Sequence, residues 1–483
     1  MRPSAIVLPL VVVLAALPGV VNAQTDAAKS RVLVLTDIGN EVDDQESLVR
    51  FLLYSNEYDV EGIVATTSTW LRDKVHPELI DERVRAYGQV LPNLRVHAAG
   101  FPRAEALQSK IRAGRAEYGT AGVGQGKDTD ASRLITQAVD SADPRPLWIA
   151  IWGGSVDLAQ SLWSVEHTRR PAEVARFVSR LRVYSISDQD DAGPWARAEF
   201  PKLWWVTSIH AFNDYALATW TGISVPYPGA DGEVVSHRWL DEHIRKGPLG
   251  ALYPQWLYAM EGDTPSFLNL IANGLSVPEH PDWGGWGGRY GRLSENLGLW
   301  ASAADTVKGM DGSMVTSAPA TVWRWRSAFQ NDFAARINWS IAPRYQDANH
   351  NPILLVNGEG GLNPIAITAC VGRPVALSAA GSHDPDRDSI RYRWWVYTDA
   401  GRTLPIGGSQ VTLSDENGPQ TSVLVAPPTA PGLHLPPPDV RIFHVILEGT
   451  DSGSPPLTSY RRIVLTVPSP ATALARERGC DAG

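Results

Sequence analysis

Asp37, Glu41, Asp43 and Asp44 fall within eight positions of one stretch, Leu33-Val34-Leu35-Thr36-Asp37-Ile38-Gly39-Asn40-Glu41-Val42-Asp43-Asp44. Four like charges at that spacing repel one another, and a hard cation relieves the repulsion. Carboxylate oxygens are the ligands that Ca²⁺ and Mg²⁺ take. The competing reading is an acidic helix start, where carboxylates cap the helix and complement its dipole. That accounts for one or two of the acids more readily than for all four.

The acids need elements to position them. Residues 31–35, apolar after Arg31, read as a buried strand, while Leu48, Val49, Phe51, Leu52 and Leu53 recur at helical spacing. The segment therefore runs strand, acidic loop, helix. The pattern repeats up to about residue 206. Residues 60–66, 147–152, 182–186 and 203–206 read as strands, and 78–89, 132–139, 156–163 and 172–181 as helices. Such alternation predicts a mostly parallel sheet with helices on both faces. Ligands of such sheets sit beyond the carboxyl ends of the strands. Here those ends carry Asp37, the run from Thr67 through Thr69 to Trp70, Gly153-Gly154-Ser155, and Asp188 with Asp190.

From 226 to 343 the periodicity fades and many of the 18 tryptophans appear. Residues 253–260 read as a helix running into Glu261-Gly262-Asp263-Thr264-Pro265. The glycine-rich loop around His280, Trp283 and Trp286 either offers ring faces to a ligand or packs into the core. Residues 323–339 read as a long helix carrying Asp332. Residues 347–352 read as a linker. Beyond 353, short alternating runs separated by turns predict a small antiparallel sandwich. Its acidic turn, Ser382 to Asp388, reads either as a solvated hairpin turn or as a Ca²⁺ loop.

A chain of 483 residues predicts two domains, and a formal charge of -9 without a basic run argues against nucleic acid. Residues 1–23 read as a signal peptide, with Arg2 before a short apolar core and a small-residue cleavage site. This predicts an exported protein, periplasmic or secreted, with no membrane anchor after cleavage. The domains expected are 24–345 and 346–483. Cys370 and Cys480 either pair in an oxidising compartment or stay free.

The segments LTDIGNEVDDQESLVRFLLYSNEYDVEGIVATTSTW, IWGGSVDLAQSLW, YSISDQDDAGPW, EGDTPSFL, PEHPDWGGWGGRYG and FQNDFAARINW resemble the nucleoside hydrolase-like superfamily. More closely, they resemble its exported bacterial, cellulose-binding-type branch. The stretch 374–467 is similar to polycystic-kidney-disease or cadherin-like sandwich repeats. The resemblance implies one Ca²⁺, in preference to Mg²⁺. Its ligands would be Asp37, Asp43, Asp44, the Val156 carbonyl and a late aspartate, for which Asp332 is the candidate. It also implies that Asp37 activates water, and it leans toward a homo-oligomer. Thr69 falls where true nucleoside hydrolases place a sugar-binding asparagine. Leu35 replaces their first aspartate, and two extra residues precede the Asp43-Asp44 pair.

Two functions follow as expectations. One is a Ca²⁺-dependent hydrolase of an N-glycosyl or related sugar bond, with Asp37 as base and a carbohydrate or nucleoside-like ligand. Asn40, Glu41, Thr69, Trp70, Trp283 and Trp286 would touch the ligand, and Asp188 and Asp190 would orient it. His210, His280 or Glu261 would protonate the leaving group. The other is an exported polysaccharide-binding protein on the same scaffold, without turnover.

Overall fold

The computed structural model describes residues 29–210, 212–401, 411–427, 440–469 and 472–480, so the signal peptide expected at 1–23 lies outside the described residues. The fold starts from strand β1 (Ser30–Thr36), buried almost throughout. It lies between β2 (Tyr58–Ala65) and β4 (Leu147–Ile151), parallel to both. With β3 (Ile111–Ala113), β5 (Leu181–Ser185), β6 (Trp204–Thr207), β7 (Tyr290–Arg292) and β8 (Leu299–Ser302), the sheet runs β3-β2-β1-β4-β5-β6-β8-β7. Only the edge pair β7–β8 is antiparallel.

Strand alternation decides which face each side chain serves. Val32 and Val34 pack with Leu48, Val84 and Phe329, whereas Leu33 and Leu35 pack with Ile135 and Leu158. The first set joins helices α1 (Asp43–Leu53), α2 (Pro77–His97) and Arg326–Ile341. The second joins Asp130–Asp140 and Val156–Thr168. Both faces are thus covered, as the uninterrupted apolar run of β1 requires. No helix among the described residues is long and apolar enough to cross a membrane.

Three local expectations change. α2 runs to His97 rather than to residue 89, passing through Pro92. Val90, Leu91 and Leu94 remain buried there, so packing outweighs the hydrogen bond the proline removes. The helix expected at 253–260 does not form. Arg245 instead draws the carbonyls of Tyr253 and Pro254 to its guanidinium, at 3.1 and 2.8 Å. The linker expected at 347–352 is fixed in place: His350 stacks on Tyr345 at 3.7 Å, and the Trp339 indole donates to the Asn349 carbonyl at 2.8 Å.

A hairpin, β9 (Asp305–Lys308) with β10 (Met314–Ser317), precedes the long helix. The C-terminal sandwich follows. One sheet orders β11 (Ile365–Thr368), β17 (Thr458–Pro468), β16 (Val440–Thr450) and β13 (Arg391–Val396). The other orders β12 (Val375–Ser378), β15 (Gln420–Val425) and β14 (Val411–Leu413). The sandwich is antiparallel except at β11–β17, which run parallel. Trp394, Val423, Val445 and Leu465 fill its core. Cys370 and Cys480 are joined in a disulfide, which settles the alternative left open by the sequence.

Candidate metal centre

The acidic loop stands at the carboxyl end of β1, near the middle of the sheet. Thr36, the last residue of the strand, donates its hydroxyl to Asp44 and accepts from the Ile38 amide at 3.1 Å. This locks the turn between strand and helix. Asp43 and Asp44 open α1, where the helix dipole favours negative charge. Gly153, at the end of β4, closes the other side: a Cβ there would lie 2.6 Å from Asp37 Oδ1.

A fourth acid comes from far along the chain. Carboxylate oxygens of Asp43, Asp44 and Asp263 all lie within 4.8 Å of one another. Asp263 is 1% exposed, and its Oδ2 has no hydrogen-bond partner. Its segment is held by Glu261, which adopts a left-handed φ of 53°. That conformation costs about 1–2 kcal/mol in a non-glycine residue. The Glu261 carboxylate receives Arg50 at 2.5 and 3.0 Å, Tyr253 at 2.7 Å and Thr264 at 2.8 Å. Its amide donates to Glu46 at 3.0 Å. Arg50 and Glu261 are both fully buried, so the pair fastens the loop that presents Asp263 to helix α1.

Burial dominates the electrostatics. It raises the Asp37 carboxyl to about 6, against relief from Ser68 and Asp44 hydrogen bonds. Burial and then the charges of Asp37 and Glu41 raise Asp43 to about 7. Asp44 and Asp263 lie well above the usual range for the same reason, each repelled by the other acids. A buried carboxylate with an orphaned oxygen, gathered with two further carboxylates, is the donor set of a hard cation.

Other expected site residues fall into place differently. Asp332 is not part of the cluster: it receives Tyr54 at 2.5 Å, Arg336 at 3.1 Å and Asn351 at 3.0 Å. Those bonds tie the long helix to α1 and to the segment after it. Val156 is the buried first residue of helix Val156–Thr168. Glu261 is a buried scaffold, not a group open to ligand. Asp188 is taken by Arg197, with two contacts of 2.7 Å. Asp190 accepts the amides of Ser155, Ala192 and Gly193 at 2.7, 3.1 and 3.2 Å, clamping the β4 turn to the β5 turn. Burial raises its carboxyl to about 7 in spite of them. Trp286 is core, packed against Phe329 and Tyr460. His280 and Trp283 stack together at 3.9 Å, and Trp283 meets His444 of the sandwich at 4.7 Å. The glycine-rich loop therefore docks the second domain rather than the acidic cluster.

Asn40, Glu41, Trp70 and His210 are exposed, and Thr69 is half-buried with its amide on the Gln189 carbonyl at 2.6 Å. Trp70 begins an aromatic rim that the sequence did not disclose. Its ring is 6.4 Å from Phe212, Phe212 is 6.4 Å from Tyr215, and Tyr215 is 5.8 Å from Trp220. A Cβ at Gly262 would lie 3.0 Å from Asp43 and 3.2 Å from Trp220, so the rim reaches the acids. Trp70, Phe212 and Tyr215 are each about half exposed, and the buried Trp220 indole N–H has no partner.

A mostly parallel sheet with carboxylates gathered at the carboxyl end of an inner strand defines a nucleoside hydrolase-like domain, followed here by a β-sandwich. The chain belongs to the cellulose-binding Sde182 family. Residues 31–290 match its nucleoside hydrolase-like domain, and residues 374–467 match the C-terminal domain of the cellulose-binding protein Sde0182. The chain is similar to a nucleoside hydrolase-related protein from Saccharophagus degradans described as associated with carbohydrate metabolism. The two are 36% identical, with a TM-score of 0.75, over 91% of this chain and 100% of that one. The effector protein XOO4466 is 13% identical over 65% of this chain and 92% of its own, with a TM-score of 0.30. No curated protein matches the chain.

Proposed function

We propose that Asp43, Asp44 and Asp263, with Asp37 beside them, hold one Ca²⁺ and that the protein hydrolyses a glycosidic bond of a carbohydrate ligand outside the cytoplasm. The observation that carries the reading is the buried Asp263 carboxylate, one of whose oxygens has no hydrogen-bond partner, gathered within 4.8 Å of Asp43 and Asp44. When bound, the cation would supply positive charge to hold sugar hydroxyls and to acidify water. The protein's own residues do the rest. Asp37, hydrogen-bonded to Ser68 and Asp44, takes the proton of the attacking water. Trp70, Phe212 and Tyr215 offer exposed faces to the sugar. The exposed His210, two residues before Phe212, stands as proton donor to the leaving group.

A second reading, retention of a polysaccharide without turnover, is favoured by the open aromatic rim and by the cellulose-binding relatives. The two separate on oligosaccharides and nucleosides screened for reducing-sugar release. Asp37→Asn is expected to abolish turnover while leaving ligand retention intact. Retention by wild-type protein with no release across the panel would establish the binder instead. In either case Asp263→Asn is expected to remove Ca²⁺ from the cluster, read by metal analysis of the purified protein.

A further inference from the structure

A cleft of about 600 Å³ lies between the long helix and the sandwich, within the size range of ligand sites and at a domain interface, where such sites concentrate. It takes no residue from the acidic cluster or from the aromatic rim. Strand alternation builds its floor. Trp394 of β13 enters the sandwich core, so Arg391 and Arg393 turn the other way. Pairing sets them in two rows across the sheet. Arg393 lies opposite Glu448 of β16, and Glu448 opposite Tyr460 of β17. Arg391 lies opposite Thr450, and Thr450 opposite Thr458. The facing wall is helical. Trp325 precedes the long helix, and Ala328 and Asn331, three residues apart, share one of its faces.

Much of this lining is held in place by the protein itself. Glu448 accepts the Trp395 indole N–H at 3.0 Å and Arg393 at 3.4 Å. The Thr450 and Thr458 hydroxyls bond one another at 2.9 Å. Arg324 donates to Asp305 at 2.8 Å and lies 4.7 Å over the Trp395 ring. Hydrogen-bonding capacity is left over. Among the described residues the Asn331 amide and the Arg391 guanidinium make no hydrogen bond, although both line the cleft.

The charges nearly cancel. Arg324 is matched by Asp305 and Arg393 by Glu448, while Asp451 shares the lining with Arg391. A phosphate or a uronate calls for an excess of guanidinium, which the cleft lacks. A peptide calls for an apolar anchor pocket, and the floor is two polar rows. Guanidinium, amide, carboxylate and hydroxyl together suit a ligand whose groups both donate and accept, as sugar hydroxyls do. We propose that this interdomain cleft is a second glycan-binding site, which takes a neutral oligosaccharide chain and is separate from the acidic cluster. With a sugar also on the rim, a polysaccharide is held at two points, which raises its apparent affinity without new contacts.

The test titrates the full-length protein with cellohexaose, xylohexaose and mannohexaose by calorimetry, in a Trp70→Ala/Phe212→Ala background that removes the rim. At least one of the three is expected to bind. Adding Asn331→Ala and Arg393→Ala is expected to weaken that binding by about tenfold or more. Ala328→Trp, which fills the cleft and spares its polar groups, is expected to abolish it. Asn331 and Arg393 reach solvent, so their double variant decides should Ala328→Trp not fold. Binding indifferent to these changes would overturn the site. So would the absence of binding in the rim-deleted background, and binding by wild type alone would then place the glycan on the rim. A preference for hexagalacturonate over the neutral sugars would overturn the ligand class.

Discussion

Asp37, Asp43, Asp44 and Asp263 are each less stable as carboxylates in the fold than in water, and the sign of the consequence can be worked out. Burial first, and then repulsion from neighbouring acids, places Asp37 at about 6 and Asp43 at about 7, above the ordinary 3.8. Without a cation the folded state keeps protons that the unfolded chain has released. This contribution to stability is full below the unfolded value and is lost as pH rises through the folded ones. The melting temperature of chelator-treated protein is therefore expected to fall between about pH 5 and about pH 8. Added Ca²⁺ is expected to raise it more at the upper end than at the lower. Differential scanning calorimetry at the two pH values checks both, and a chelated protein that grows more stable over the interval would contradict the assignment.

At the scale of elements, the site depends on how α1 holds a loop more than two hundred residues away. Arg50 projects from the buried face of α1 to Glu261, and its guanidinium also reaches the Phe329 carbonyl at 3.1 Å and lies 4.0 Å over the Phe333 ring. Arg50→Met would strand Glu261 as a buried, unpaired charge, at a cost of about 3–5 kcal/mol. Urea denaturation is expected to show that loss. Glu261→Gln added to Arg50→Met is expected to recover part of it, because the stranded charge is gone. Neither variant is expected to bind Ca²⁺ at the sheet cluster as tightly as wild type, since the Asp263 loop loses its anchor.

The two domains share polar and aromatic contacts that make the molecule one packed body at their junction. Asp305, fully buried, receives Arg289 at 2.6 Å and Arg324 at 2.8 Å from the first domain and Tyr397 at 2.6 Å from the second. Arg462 of β17 reaches the Gly284 carbonyl at 2.8 Å, and Trp325 stands edge-on to Tyr460 at 5.7 Å. Both domains are expected to unfold in a single transition. Tyr397→Phe removes one donor to Asp305 and is expected to cost about 1–2 kcal/mol without splitting that transition. Two separate transitions in wild-type protein would show the junction to be weaker than its contacts suggest.

Much of the fold was legible in the sequence because β1, β2, β4, β5 and β6 obey local rules, whereas the three-residue β3 (Ile111–Ala113) is too short to leave a pattern. An apolar run of five residues is a buried strand, and a 3.6-residue period is a helix. The carboxylates of the first loop were legible for the same reason, since their spacing is local. Asp263 was within view, between Gly262 and Thr264, yet nothing in its neighbourhood marked it above Asp332. The choice between them is made by Arg50, Glu261 and Tyr54, whose contacts span more than two hundred residues. Trp286 and Trp283 were equally undecidable, because the same aromatic residue serves as core or as platform according to what packs on it. Trp70 was legible as a ligand contact, but Phe212, Tyr215 and Trp220, which complete the rim, come from a distant segment that shares no period with it. Sequence alone therefore determined the strand, the turn and the concentration of charge. Only the tertiary structure decided which charges face one another, because long-range packing sets which oxygens are left buried without a partner.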